Sequence, residues 1–196
     1  MEVKTQHIFA RNKLITAGEL TSAGMNRMRI KRMTERGELK RVAFGLYSLP
    51  GYLQSELGSL AAVSKRAPQV VFCLMTALAF HRLTTQAPFE VWIAIGNKAH
   101  PPRLDYPPLR VMRYSQDSLN AGVVTRLIDG IPVRITGIEK TVADCFKFRN
   151  KVGLDVAIEA LKEALRAKKL DIDLLWKYAS INRVKNVIKP YLEVLS

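Results

Sequence analysis

The stretch that most constrains this chain lies between residues 14 and 51, LITAGELTSAGMNRMRIKRMTERGELKRVAFGLYSLPG. Thr16 stands three residues before Glu19, the spacing of a capping box, in which the hydroxyl satisfies an orphan backbone N–H and the carboxylate reaches back. The helix so opened ends at Gly24, a residue that tolerates a left-handed turn. Asn26 is a good N-cap for the next helix, which the spacing predicts to run from Arg27 to about Arg36 and to stop at Gly37. Gly24-Met25-Asn26 is then the turn of a helix-turn-helix. Short strands follow at 39–42 and 46–49, joined through Ala43-Phe44-Gly45, with Pro50-Gly51 closing the unit. Val3, His7, Ile8 and Phe9 add a short helix over 2–11. Helix, helix, basic helix and two-stranded ribbon is the order of a winged helix-turn-helix.

The basic helix is two-faced. Ile30 and Met33, three apart, define the side that packs inward, and stepping 100° per residue places Met28, Lys31, Arg32 and Glu35 opposite, with Arg27 and Arg36 on the flank. Residues 1–53 hold ten Lys and Arg against four Asp and Glu, the densest part of a chain with net charge +14 and a pI near 10.0. Such an excess points to nucleic acid before an acidic membrane surface. The residues expected at DNA are Asn26, Arg27, Met28, Lys31, Arg32, Arg36, Lys40 and Arg41. Arg27 and Met28, in the first turn, are best placed for base edges, and Lys31, Arg32 and Arg36 for bases or phosphates. Lys40 and Arg41 belong to the wing, at the backbone or the minor groove. The competing account is a solvated helix face on an ordinary three-helix cap.

The fold class expected is α+β: an N-terminal winged helix-turn-helix over 1–53, then a mixed α/β domain over 54–196 with a small sheet and a helical C-terminus. A helix over 55–66 leads to a short strand at 70–72, an apolar helix at 74–81 and an interior strand at 89–95. After a proline-rich connector, 96–108, strands follow at 109–114, 123–128 and 131–136. The last two are joined by Asp129-Gly130, a strong hairpin dipeptide. Thr136 and Glu139 repeat the capping-box spacing and open a helix through 148, with a buried inner face and Lys140, Lys147 and Arg149 on its outside. Helices at 154–168, 173–180 and 182–195 close the chain, the last kinked at Pro190. Cys73 and Cys145, each in an apolar run, read as buried reduced thiols. The longest apolar run, 70–80, is too short for a membrane span, and no signal peptide is visible, so a cytoplasmic protein without membrane contact is expected.

Lys98, His100, Arg103, Arg110 and Arg113 decorate the connector and its exit strand. They form either a stiffened surface for a protein or nucleic acid, or the solvated charges of a crossing loop. His7, His81 and His100 lack metal-ligand spacing, and no dinucleotide or phosphate-loop fingerprint occurs, so no metal or cofactor is expected. A nuclease is the enzymatic rival. It would have to gather Glu90, Asp105, Asp129, Glu139 and Asp144 with Lys140 around Mg²⁺. Asp129 is better explained as a turn residue, Glu139 as a cap partner and Asp144 by a structural bond, so no catalytic residue is expected.

The chain resembles the abortive-infection E antitoxins, the AbiEi family of type IV toxin–antitoxin systems. The resemblance is carried by residues 14–24, residues 27–39, and above all Gly37-Glu38-Leu39-Lys40-Arg41-Val42 with Gly45-Leu46-Tyr47. It continues through Leu78-Ala79-Phe80-His81, Glu90-Val91-Trp92-Ile93-Ala94, residues 103–110 and Lys140-Thr141-Val142-Ala143-Asp144-Cys145-Phe146. What it implies is a cytoplasmic antitoxin whose winged helix binds inverted repeats in double-stranded DNA of its own promoter. The second domain would counter a nucleotidyltransferase toxin, with or without direct contact. Met28 and Lys31 depart from the polar or aromatic residues more typical there, so no base preference is carried over. The alternative is a transcriptional regulator whose second domain binds a ligand or RNA.

Overall fold

The computed structural model describes Phe9 and residues 13–43, 45–53 and 55–195. The helix expected over 2–11 lies outside them, except that Phe9 is helical and buried. The chain divides into two units, the first made of residues 1–69, 102–108 and 126–133, the second of residues 70–101, 109–125 and 134–196.

The first unit opens with β1 (Ile15–Thr16) and α1 (Ala17–Ser22). The capping box forms as the spacing requires: Glu19 N donates to Thr16 Oγ1 at 3.2 Å, and Thr16 N donates to Glu19 Oε2 at 2.8 Å. Gly24, at φ +90°, turns the chain into α2 (Arg27–Glu35), whose N-cap Asn26 accepts from Arg29 N at 2.8 Å. A nine-residue helix is marginal alone in water. It is held by Ile30 and Met33, which are buried with Phe9, Ile15, Leu20, Met25 and Leu39. Each such side chain is worth roughly 1.5–3 kcal/mol when fully removed from water. The wing pairs β2 (Lys40–Ala43) with β3 (Leu46–Ser48), Arg41 opposite Tyr47, with a bulge between Arg41 and Ala43. Ile15 pairs Tyr47 on the other side of β3, giving a sheet ordered β1-β3-β2. Gly45 sits at φ +65°, a left-handed position that strains any residue with a Cβ, and the mobile end of Arg66 lies 2.7 Å from where that Cβ would stand.

Helix α3 (Gly58–Arg66) completes this unit. Its Lys65 reaches Glu19 at 2.6 Å, and its Ser64 donates to the Pro132 carbonyl at 2.6 Å. Asp129 and Gly130 both have positive φ, the pair of left-handed residues that a two-residue hairpin turn needs. The Asp129 carboxylate accepts from the Tyr52 hydroxyl at 2.5 Å and from Ser55 Oγ at 3.1 Å.

A five-stranded sheet, ordered β6-β5-β4-β8-β7, underlies the second unit, the hairpin end of its β7 and β8 being counted with the first. Its strands are β4 (Val71–Phe72), β5 (Val91–Gly96), β6 (Leu109–Tyr114), β7 (Val123–Ile128) and β8 (Ile131–Thr136). β5 pairs β6 in parallel, with Val91 opposite Leu109 and Gly96 opposite Tyr114, and pairs β4 antiparallel. β4 pairs β8 in parallel through Phe72 and Ile135, so the sheet is mixed. β5 is buried along nearly its whole length, as a strand with few polar residues must be. Helices α4 (Leu74–His81), α5 (Gln116–Asn120), α6 (Ile138–Lys147) and α7 (Arg149–Val152) are followed by α8 (Leu154–Arg166), α9 (Ile172–Asn182) and α10 (Lys185–Leu195). They surround one core that includes Leu78, Trp92, Tyr114, Phe146, Leu161, Leu175 and Ile188. Among the described residues no helix is long and apolar enough to cross a membrane.

Two local expectations fail in this unit. The second capping box does not form: Gly137 is the N-cap of α6, with no side-chain cap bond. Thr136 is the buried end of β8 and its hydroxyl lies 2.7 Å from Thr141 Oγ1, and Glu139 accepts instead from Asp171 N at 3.2 Å. Lys140 is not on the outside of α6 but fully buried, ion-paired with Asp144 one turn on. Gly122 makes room for it, since a Cβ there would lie 2.7 Å from Lys140 Cβ and 2.8 Å from Tyr178 Cζ.

Candidate nucleic-acid interface

Burying Ile30 and Met33 fixes the rotation of α2 and decides what the opposite side shows. Asn26, Arg27, Met28, Lys31, Arg32 and Arg36 are all exposed. Met28 keeps 58% of its surface, unusual for a large apolar side chain among cations. Arg29 is half-buried and already has a partner. An open depression along the helix is lined by Asn26, Met28, Arg29, Arg32, Met33, Arg36 and Glu38. On the wing, Lys40 and Arg41 project from β2 and are exposed.

The ion pairs on this face are loose. Lys31 lies 3.7 Å from Glu35 and Arg36 lies 3.9 Å from Glu38, each with well-exposed partners. Exposed pairs of this kind are worth about 0–1 kcal/mol and yield readily to a stronger anion such as a phosphate. Arg27, Arg32 and Lys40 make no ion pair among the described residues. Glu38 was not expected here, and its sole sequence signal was its place after Gly37. It contributes a carboxylate to a basic depression, where it would repel a phosphate or accept from a cytosine amino group.

The connector residues are not gathered in the same way. Arg113 directs one guanidinium nitrogen to the carbonyls of Gly96, Asn97 and Ala99 at 2.6–3.2 Å, and so shapes its own loop. Arg110 stacks over Trp92 at 5.4 Å and lies 3.9 Å from Glu90. Lys98, His100 and Arg103 are exposed, but Arg103 belongs to the first unit and the other two to the second. The carboxylates considered for a metal are likewise dispersed. Asp129 takes Tyr52 and Ser55, Glu139 takes Asp171, Asp144 takes Lys140, and Asp105 stays exposed in the connector. Among the described residues no three His, Cys, Asp or Glu side chains are grouped to hold a metal ion.

A family model described as transcriptional regulator, AbiEi antitoxin, matches residues 5–50, the span that holds α1, α2 and the wing. The N-terminal region of the chain is similar to that family over those residues. The fold as a whole is similar to the crystal structure of the RV2827C protein from Mycobacterium tuberculosis. That likeness has a TM-score of 0.63 and 15% sequence identity, over 91% of this chain and 70% of that one. At such identity the likeness is one of fold. No curated protein sequence matches the chain. A transcriptional regulator family implies DNA binding.

Proposed function

We propose that the chain is an antitoxin and the autorepressor of its own operon. It binds inverted repeats in its promoter through α2 and the wing and counters a nucleotidyltransferase toxin through the residues after 53. The observation that carries the DNA reading is the division of α2 into a buried stripe, Ile30 and Met33, and an exposed face with Arg27, Met28, Lys31, Arg32 and Arg36. A helix held from one side and cationic on the other fits the major groove, where Arg forks onto guanine O6 and N7 for roughly 1–3 kcal/mol per good pair. Lys40 and Arg41 hold the flanking phosphates. Inverted repeats call for a two-fold arrangement on the DNA, with half-sites one helical turn or a multiple apart.

The test is retention of a promoter fragment by the purified chain across a salt series. Arg27→Glu with Arg32→Glu abolishes retention while circular dichroism and the melting temperature stay unchanged, because both side chains are exposed. Unaltered retention by that pair would remove α2 from the interface. The antitoxin part is read in cells: growth arrest by the neighbouring nucleotidyltransferase is relieved by the whole chain and not by residues 1–53 expressed alone.

A further inference from the structure

A polar recess in the second unit is lined by Ser115, Asp117, Lys147, Ile181, Asn182 and Arg183. Asn182 forms its inner wall and is 5% exposed. Its amide orientation follows from what lies behind it. Nδ2 donates to Asp144 Oδ1 at 2.7 Å, and a carboxylate only accepts, so the amide oxygen turns the other way. There it accepts from Ser118 Oγ at 2.9 Å and from Lys147 Nζ at 3.4 Å. The Lys140–Asp144 pair behind this wall is fully buried and neutral in sum.

The recess therefore gathers more donors than acceptors, although Lys147 also faces the Tyr114 and Phe148 rings at 6.0 and 5.7 Å. Lys147 gives one of its three N–H bonds to Asn182 and keeps two. Neither Lys147 nor Arg183 has an ion pair among the described residues. Burial pulls the Lys147 ammonium below its ordinary pKa. Asp144 counters this, and repulsion from Lys140 and Arg183 adds to it, as expected of a cation short of an anion. Ser115 is the N-cap of α5, yet its hydroxyl makes no cap bond. Arg183 ends α9 at φ 58°, ψ 40°, a left-handed position that glycine fills at less cost.

We propose that this recess binds a phosphate-type oxyanion, with Lys147, Arg183 and the Ser115 hydroxyl as its donors and Asn182 positioning Lys147. The three donors come from three separate elements, an arrangement that suits a tetrahedral anion better than a planar carboxylate, which the Arg fork alone would satisfy. Asp117 is the one carboxylate in the lining and limits the affinity. The ligand is inorganic phosphate or the phosphate of a mononucleotide.

Calorimetric titration of the full chain with sodium phosphate and with AMP, at matched ionic strength, tests this. Saturable binding is expected. It falls by about tenfold or more in Lys147→Gln, disappears in Arg183→Gly and tightens in Asp117→Asn. Arg183→Gly is the decisive variant, because glycine relaxes the turn: its melting temperature holds or rises while anion binding is lost, and its promoter retention is unchanged. Tighter binding of AMP than of phosphate identifies a nucleotide as the source, and equal binding identifies free phosphate. No saturable heat with either probe, or binding that survives both Lys147→Gln and Arg183→Gly, overturns the proposal.

Discussion

Lys65 Nζ meets Glu19 Oε1 at 2.6 Å across forty-six residues of sequence. The same carboxylate closes the capping box of α1 through Thr16, so one side chain both starts the helix-turn-helix and braces it against α3. Burial raises the Glu19 pKa, but the bonds from Lys65 and Thr16 outweigh it, and the carboxyl sits below its ordinary value. A carboxyl depressed in the folded state stabilises above its unfolded pKa of about 4.3, and that contribution is lost as pH falls through the folded value. Glu19→Gln is therefore expected to cost about 1 kcal/mol at pH 7, the typical worth of a cap. Urea unfolding of both proteins along a pH series should show the gap closing on the acid side.

Tyr52 behaves in the opposite sense. Burial first, then its bond to Asp129 and the charge of that carboxylate, push the phenol well above its ordinary pKa. A group whose folded pKa is raised contributes stability that is complete below its unfolded value, about 10, and is lost as pH rises. Tyr52→Phe should cost about 1 kcal/mol at neutral pH by removing the hydrogen bond. Measured in urea at pH 7 and again above about pH 11, the difference between the two proteins should narrow.

Both cysteines are fully buried, and burial, followed by the charge of Asp144, drives their thiols upward. Only a thiolate attacks a disulfide reagent, so neither should react in the folded protein at neutral pH. A titration with Ellman's reagent is expected to show no rapid phase in buffer and two equivalents in denaturant. A fast equivalent in buffer would contradict the packing around Cys73 or Cys145.

What was legible in the sequence was what neighbouring residues decide between themselves. Thr16 with Glu19, Asn26 before Arg27, and Asp129-Gly130 each specify a local geometry, and each takes it in the structure. The same spacing at Thr136 and Glu139 failed because a buried strand end, a tertiary fact, turns the Thr136 hydroxyl elsewhere. Lys140 read as an outer residue because lysine is rarely buried; Asp144, Ser118 and the Tyr114 ring make its burial tolerable, with Asn182 holding Asp144. The face of α2 was legible for the converse reason: two apolar residues three apart fix which side of a short helix faces water. Arg113 was not, since its carbonyl partners become neighbours only once β5 and β6 lie side by side.

Lys40 separates phosphate contact from base reading. It is exposed on β2, and in the DNA reading it neutralises one phosphate. Each neutralised phosphate contributes about −0.9 to the slope of log affinity against log salt. Lys40→Ala should therefore weaken promoter and unrelated DNA alike and reduce the slope by about one unit. Arg27→Ala should instead narrow the gap between promoter and unrelated DNA. Fluorescence anisotropy at four salt concentrations distinguishes the two effects, and identical behaviour of the two variants would count against assigning them different roles.

The buried pair makes the strongest demand on stability. Lys140 and Asp144 are both fully enclosed, Asn182 donates to Asp144 Oδ1, and the Lys140 ammonium also lies 4.9 Å above the Tyr114 ring. Removing the lysine alone leaves a carboxylate without its cation in a dry environment, which typically costs about 3–5 kcal/mol. Lys140→Met should accordingly lose that much in urea unfolding. Replacing both charges, Lys140→Met with Asp144→Leu, removes the stranded charge and leaves the Asn182 amide short of one acceptor and Ser118 Oγ short of one long donor contact, a penalty of about 1–3 kcal/mol. The double variant should therefore be no less stable than the single one, and the cycle should show a coupling of at least about 1 kcal/mol. Additive losses would mean that Asp144 finds its compensation elsewhere, and that the ion pair is incidental to the α6 core.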